Sequence, residues 1–224
     1  MIKLIIFKIT FLAVLLFSAF HSPSIRILDN PIVWDSLRKQ LSLEYLEQRH
    51  GIKKNSPYIQ PKMIVLHWTA IPTLEQSFKA MNPTLLPGSR KGLASASSLN
   101  VSSQFLIDRD GTIYRQLPDT AFARHVIGLN YCAIGIENVG GGEKYPLTKD
   151  QLKANEKLIR YLKDRYDIEY LIGHSEYRKF EGHPLWKEAD TGYRTTKTDP
   201  GKDFMTKIRK RTKNLGLKGA PEFN

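Results

Sequence analysis

Residues Pro61–Ala70 read PKMIVLHWTA. Four large apolar residues, Met63–Leu66, follow a proline and lysine and stop at the polar aromatic pair His67–Trp68. A short continuous apolar run is the pattern of a strand covered on both faces, as in the interior of a parallel sheet. It predicts that His67 stands at the carboxyl end of a buried strand. Taken alone, such a histidine is better explained as a hydrogen-bonded core residue, so its meaning depends on what the rest of the chain brings to it.

Towards the amino terminus, Ile52–Gln60 reads as a connecting loop. Before it, Asp29-Asn30-Pro31 reads as a helix start, with Ile32, Leu37, Leu41 and Leu46 at loose helical spacing and Gly51 as the stop. His50 falls in the last turn, where a basic side chain suits the helix dipole. Residues 1–23 combine a basic start with an apolar stretch, Leu4–Phe20, broken only by Lys8 and Thr10. They read as an export signal or an amino-terminal anchor, and they place the protein outside the cytoplasm: periplasmic, envelope-associated or secreted.

Towards the carboxyl terminus, Thr73 and Gln76 predict a capped helix through Met81, stopped by Asn82-Pro83. Thr84–Asn100 has no clear period and reads as a long loop. Val101–Ile107 and Thr112–Leu117 are β-like and flank Asp108-Arg-Asp-Gly111, a hairpin signal. Pro118–His125 reads as a turn or short helix, and Cys132–Val139 as an apolar strand closed by three glycines. Thr148 and Gln151 open the clearest helix, Lys149–Tyr166. Tyr170–Gly173 is a short strand ending at His174, followed by the polar loop Ser175–Lys197. Phe204–Leu215 reads as a basic helix, and residues 216–224 as a loose tail. Alternating strands and helices without a splitting linker predict one α/β domain with a central mixed β-sheet flanked by helices.

The 224 residues hold 34 basic and 22 acidic side chains, a net charge of +12. Lys3 and Lys8 are the only charges before Pro23, so nearly all of that excess belongs to residues 24–224. A strongly basic exported chain suits a polyanionic envelope. No nucleic-acid-binding motif is present, so nucleic acid is not expected as a partner. Cys132, the sole cysteine, cannot form an internal disulfide and reads as a small core residue.

His67, His174 and Asp199 all fall at predicted strand ends or in adjoining loops. Two imidazoles and a carboxylate with a fourth position left open form a catalytic zinc set, although this spacing alone is a weak signal. Asp199 is equally explained as the cap of the turn before Pro200.

Five stretches in order carry more weight: His67-Trp68-Thr69-Ala70, Phe105–Tyr114, Ala133-Ile-Gly-Ile-Glu-Asn138, Gly173-His174-Ser175-Glu176 and Lys197-Thr-Asp-Pro-Gly201. Together they resemble the zinc-dependent N-acetylmuramoyl-L-alanine amidases of the amidase-2 and peptidoglycan-recognition superfamily, over roughly Pro61 to Phe204. The resemblance implies an amidase-2-like fold, with residues 61–215 as catalytic domain and 24–60 as a helix and linker packed on it. It implies Zn2+ held by His67, His174 and Asp199, a proton-transferring Glu137, and Lys197 as the positive charge facing the oxyanion. It further implies that Trp68, His125, Asn130, Asn138 and Arg194 line a groove for peptidoglycan or muropeptide. The expected protein is a monomeric hydrolase that uses zinc-activated water on the bond between N-acetylmuramic acid and L-alanine. The alternative is a recognition protein that binds without cutting. One departure stands out: Ser103-Gln104 occupy the place before the hairpin where relatives often carry tyrosine or histidine.

Overall fold

The computed structural model describes residues 25–88 and 95–222; the expected signal at residues 1–23 lies outside them. Strand β2 (Met63–Trp68) forms where the apolar run predicts and is buried from Met63 through His67. Around it lie β1 (Ile27–Asp29), β3 (Phe105–Ile107), β4 (Ile113–Arg115), β5 (Ala133–Asn138) and β6 (Tyr170–Gly173). They form one six-stranded sheet in the order β1-β4-β3-β5-β2-β6. Only the β3–β4 hairpin is antiparallel; β2 runs parallel to both β5 and β6. The sheet is therefore mixed, as expected, with its most buried strands at the centre of the parallel part.

Alternation along β2 decides which face does what. Ile64 and Leu66 point to one side, where α3 (Lys149–Arg165) and α4 (Lys202–Arg211) cover them with Leu158, Ile159, Leu162, Phe204 and Ile208. Met63 and Val65 point to the other, against Leu129, Cys132, Tyr177 and Phe180. His67 shares the parity of Met63 and Val65, so it opens onto the face roofed by loops instead of helices. Helix α3 starts as its sequence predicts: Thr148 Oγ1 accepts from Gln151 N at 3.0 Å, and Gln151 Oε1 accepts from Thr148 N at 2.9 Å. Cys132 is buried, and that burial pushes its thiol up to about 12.

Several boundaries differ from the sequence expectation. Asp29 does not open a helix; it ends β1 and pairs with Arg115 at 3.2 Å. The cap is Asp35, whose Oδ1 accepts from Arg38 N at 2.8 Å to start α1 (Ser36–His50). Both sites offer an aspartate after an apolar residue, Leu28 or Trp34, and it is the pairing of Asp29 at the edge of the sheet that distinguishes them. Helix α2 (Leu74–Met81) follows Thr73 as expected. Of the two readings of Pro118–His125 the turn holds, closed by Ala121 N donating to Pro118 O at 2.8 Å, and there is no helix. The tail expected to be loose from Gly216 is held: Leu171 N donates to Lys218 O at 2.9 Å, and Lys218 N to Glu169 O at 2.8 Å. No helix among the described residues is long and apolar enough to cross a membrane.

Candidate metal centre

Register assembles the site. His67 on β2 is paired with Glu137 on β5, and Leu66 with Gly173 at the end of β6. The carboxyl ends of three parallel strands thus finish side by side, where open α/β sheets place their ligands. One residue beyond Gly173, His174 begins a 3-10 turn through Phe180. Ser175 N donates to Asp199 O at 2.9 Å, which ties the approach to α4 against that turn.

Side chains far apart in the chain consequently converge. His67 Nδ1 lies 2.9 Å from His174 Nδ1 and 3.2 Å from Asp199 Oδ2, and His174 Nδ1 lies 3.0 Å from the same oxygen. In a tetrahedral zinc shell with ligands about 2.0–2.1 Å from the ion, neighbouring ligand atoms are roughly 3.3 Å apart. The donor set and its spacing fit such an ion.

The tautomers can be worked out from the carbonyl behind the cluster. His125 Nε2 lies 3.2 Å from Ala133 O, which can only accept, so that nitrogen carries the proton. Burial first, then the neighbouring His67, pushes the pKa of His125 well below its ordinary value, so the ring is neutral. Its Nδ1 is then an acceptor, and His67 Nε2, 3.0 Å away, donates to it. With Nε2 used in that bond, Nδ1 is the His67 nitrogen left to face His174 and Asp199. Gly135 makes the relay possible, because a Cβ there would sit 2.9 Å from the His125 ring carbons.

Electrostatics prepare the same state. Burial, followed by the adjacent His67, lowers the His174 pKa to about 4, so this imidazole is neutral near pH 7. Burial would raise the pKa of Asp199, but its contacts with His174 and His67 outweigh that and hold the carboxyl well below the usual range. A neutral His174 and an ionised Asp199, with His67 Nδ1 beside them, form a set that can take a divalent cation.

A cavity of about 310 Å³ opens over the cluster. Trp68, His125, Asn130, Glu137 and Lys197 line it together with the three candidate ligands. Trp68 also packs on the turn at Gly141, where a Cβ would fall 2.2 Å from the indole. Asn130 is committed to the fold, its Oδ1 accepting from the backbone N of His125 and Val126 at 2.8 and 2.7 Å. Asn138 and Arg194 are not among the lining residues. Asn138 Nδ2 donates to His67 O at 2.9 Å while its Oδ1 accepts from Asn155, so it fixes the β2 end from within. Arg194 stacks 4.8 Å over Trp186 and meets Glu181 at 3.2 Å.

Ser103 and Gln104 are also accounted for. Gln104 Oε1 accepts from Gly135 N, and its Nε2 donates to Ala121 O, both at 2.7 Å. Sequence reading assigns no role of their own to Thr69, Ser77, Met81, Ser102, Arg124 or Thr195, which complete the cavity wall. A hydroxyl or arginine in a loop carries no signal until the fold places it.

Comparison with known proteins agrees with this geometry. A family model described as N-acetylmuramoyl-L-alanine amidase matches residues 57–202. No curated protein sequence matches. Among solved structures, the N-acetylmuramoyl-L-alanine amidase LysC from Clostridium intestinale URNW is 22% identical with a TM-score of 0.53, covering 87% of this chain and 100% of that one. The endolysin amidase LysCS from the same organism is 24% identical with a TM-score of 0.51, covering 88% and 99%. Bumblebee PGRP-SA is 19% identical with a TM-score of 0.50, covering 88% and 99%. These likenesses show a shared fold, and the match of the family model over most of the described chain identifies the protein as a member of the amidase-2 family of N-acetylmuramoyl-L-alanine amidases.

Proposed function

We propose that this protein is an exported, monomeric zinc amidase that cleaves the bond between the lactyl group of N-acetylmuramic acid and the L-alanine of peptidoglycan stem peptides. The observation that carries this reading is the convergence of His67, His174 and Asp199 in a cavity that Glu137 and Lys197 also line. Zinc held there would supply a Lewis acid for the amide carbonyl and make water acidic near neutral pH. The protein's own groups do the rest. The His125 relay leaves His67 Nδ1 facing the other two candidate ligands, and the turn after β6 brings His174 Nδ1 to the same point. Glu137, beside His67 in register and aimed into the same cavity, takes the proton from the attacking water and returns it to the leaving amine. Lys197 Nζ offers positive charge where the carbonyl oxygen becomes negative. Export is supported by the basic, apolar start of the chain, and its overall charge suits an anionic envelope.

The test uses the protein without its first 23 residues, incubated with polymeric peptidoglycan and with soluble muropeptides. Mass spectrometry should reveal free stem peptides beginning with L-alanine. Their formation should stop on chelation, return with zinc, and be missing in His174→Ala. Zinc-loaded protein that binds muropeptide without releasing those peptides would make it a recognition protein instead.

A further inference from the structure

We infer that Arg49, at the end of α1, is a positioning residue for the substrate wall of the cavity; this rests on reading that cavity as the muropeptide site. The segment between His174 and Asp199 is long, and beyond the 3-10 turn ending at Phe180 it has no helix or strand of its own. A loop of this kind keeps one shape only if something outside it holds it. Gly128 O accepts from Lys187 N at 3.0 Å and Tyr131 Oη donates to Leu185 O at 2.9 Å, and helix α1, which precedes the residues matched by the family model, adds a further hold between them and the cavity.

Four contacts make the clamp. Arg49 Nη2 lies 2.6 Å from Glu188 Oε1, with the Glu188 side chain fully buried. The pairing is charge against charge more than an aligned hydrogen bond, so it depends on the presence of the guanidinium. Arg49 also stacks 4.7 Å over the ring of Tyr193. Ala189 N donates to Arg49 O at 3.0 Å. His50 Nδ1 donates to Lys187 O at 2.5 Å. From this clamp the chain runs directly into the cavity wall. Tyr193, Thr195 and Lys197 all line it, and Tyr193 Oη accepts from Arg124 Nη2 at 3.2 Å. The wall is thus tied at one end by Arg49, in the middle by Tyr177 Oη, which donates to Thr195 O at 2.7 Å and accepts from Thr195 N at 2.8 Å, and at the other end by the Asp199 turn.

Removing the arginine leaves a buried carboxylate with only the Asp190 N–H and the charge of Arg194 beside it, a state that favours opening of the loop over retention of its shape. Zinc-loaded Arg49→Ala, Arg49→Lys and Glu188→Gln would be compared with the parent protein in two ways. Hydrogen exchange should rise by more than about tenfold across residues 185–197 in Arg49→Ala and Glu188→Gln, with β2 and β5 unchanged. Arg49→Lys should restore part of the protection. On soluble muropeptide, kcat/KM should fall roughly tenfold to a hundredfold with zinc content unaltered, as expected when a substrate-contacting wall is displaced. The double variant Arg49→Ala/Glu188→Gln should be no worse than the poorer single one.

Unchanged exchange at 185–197 in Arg49→Ala would overturn the inference. So would an equal rise through β2 and β5, or a loosened loop that leaves both turnover and muropeptide affinity intact. If the parent protein cuts no muropeptide, the amidase reading fails on its own. Exchange and calorimetric muropeptide binding then decide the role of Arg49.

Discussion

His125 acts on the candidate metal centre through a proton it does not own. Its acceptor nitrogen takes the hydrogen of His67 Nε2, which leaves Nδ1 to face His174 and Asp199. His125→Ala should therefore keep the fold but bind zinc about 10–100-fold more weakly, measured by competition with a chromogenic chelator. In the sequence His125 reads as a groove residue. It does line the cavity, but its partners, Ala133 O and the space above Gly135, come from β5 and are invisible in Ala123-Arg-His-Val. The candidate ligands were legible because each ends an apolar run or precedes a proline; Arg194 and Asn138 were legible as chemistry but not as place. His50 carries a different consequence. Burial lowers its pKa to about 4, whereas the unfolded chain takes up the proton near 6.5. The unfolded state therefore binds more protons between those values, so His50 makes stability fall as pH drops from about 6.5 to 4, by up to roughly 3 kcal/mol. In His50→Gln, the loss of unfolding free energy between pH 7 and pH 4.5, measured by urea titration, should be smaller than in the parent.

At the level of elements, α3 combines the clearest sequence signal with the largest share of one sheet face. Its capping box satisfies backbone groups at both Thr148 and Gln151, so Thr148→Ala should cost about 1 kcal/mol. For a chain of this size that is a fall of roughly 2–4 °C in Tm by calorimetry, with activity unchanged. Strand β6 and helix α3 could be read almost to the residue because period, cap and stop agree. Strand β1 could not: three residues cannot show a period, and its pairing partner lies on β4. The hairpin strands β3 and β4 are likewise shorter than their β-like sequence; just before β3, Ser103 Oγ donates to Phe105 O and Gln104 Nε2 reaches across to Ala121 O. The clamp of α1 on the loop at residues 187–193 was not legible either, because Arg49 and Glu188 look like ordinary surface charges in isolation.

For the molecule as a whole, the excess of basic over acidic side chains acts at long range, on a polyanion more than on a small fragment. Raising salt from roughly 0.05 to 0.5 M should raise KM several-fold on polymeric wall and leave soluble muropeptide nearly unaffected, because screening at the upper value is complete beyond a few ångströms. An equal effect on both substrates would place the charge dependence inside the cavity.

The sheet also has its two ends closed by the two ends of the described chain, β1 alongside β4 and Lys218 alongside β6. An exposed strand edge is a template on which other molecules can add, and these short terminal pairings occupy both templates. The segments at Ile27–Asp29 and at Lys218 therefore lie across the breadth of the sheet from each other, roughly 29 Å over six spacings of 4.8 Å. A version cut back to Gly216 would bare the backbone of β6 and gain a route to strand-by-strand polymerisation, which makes those last residues a guard against fibres.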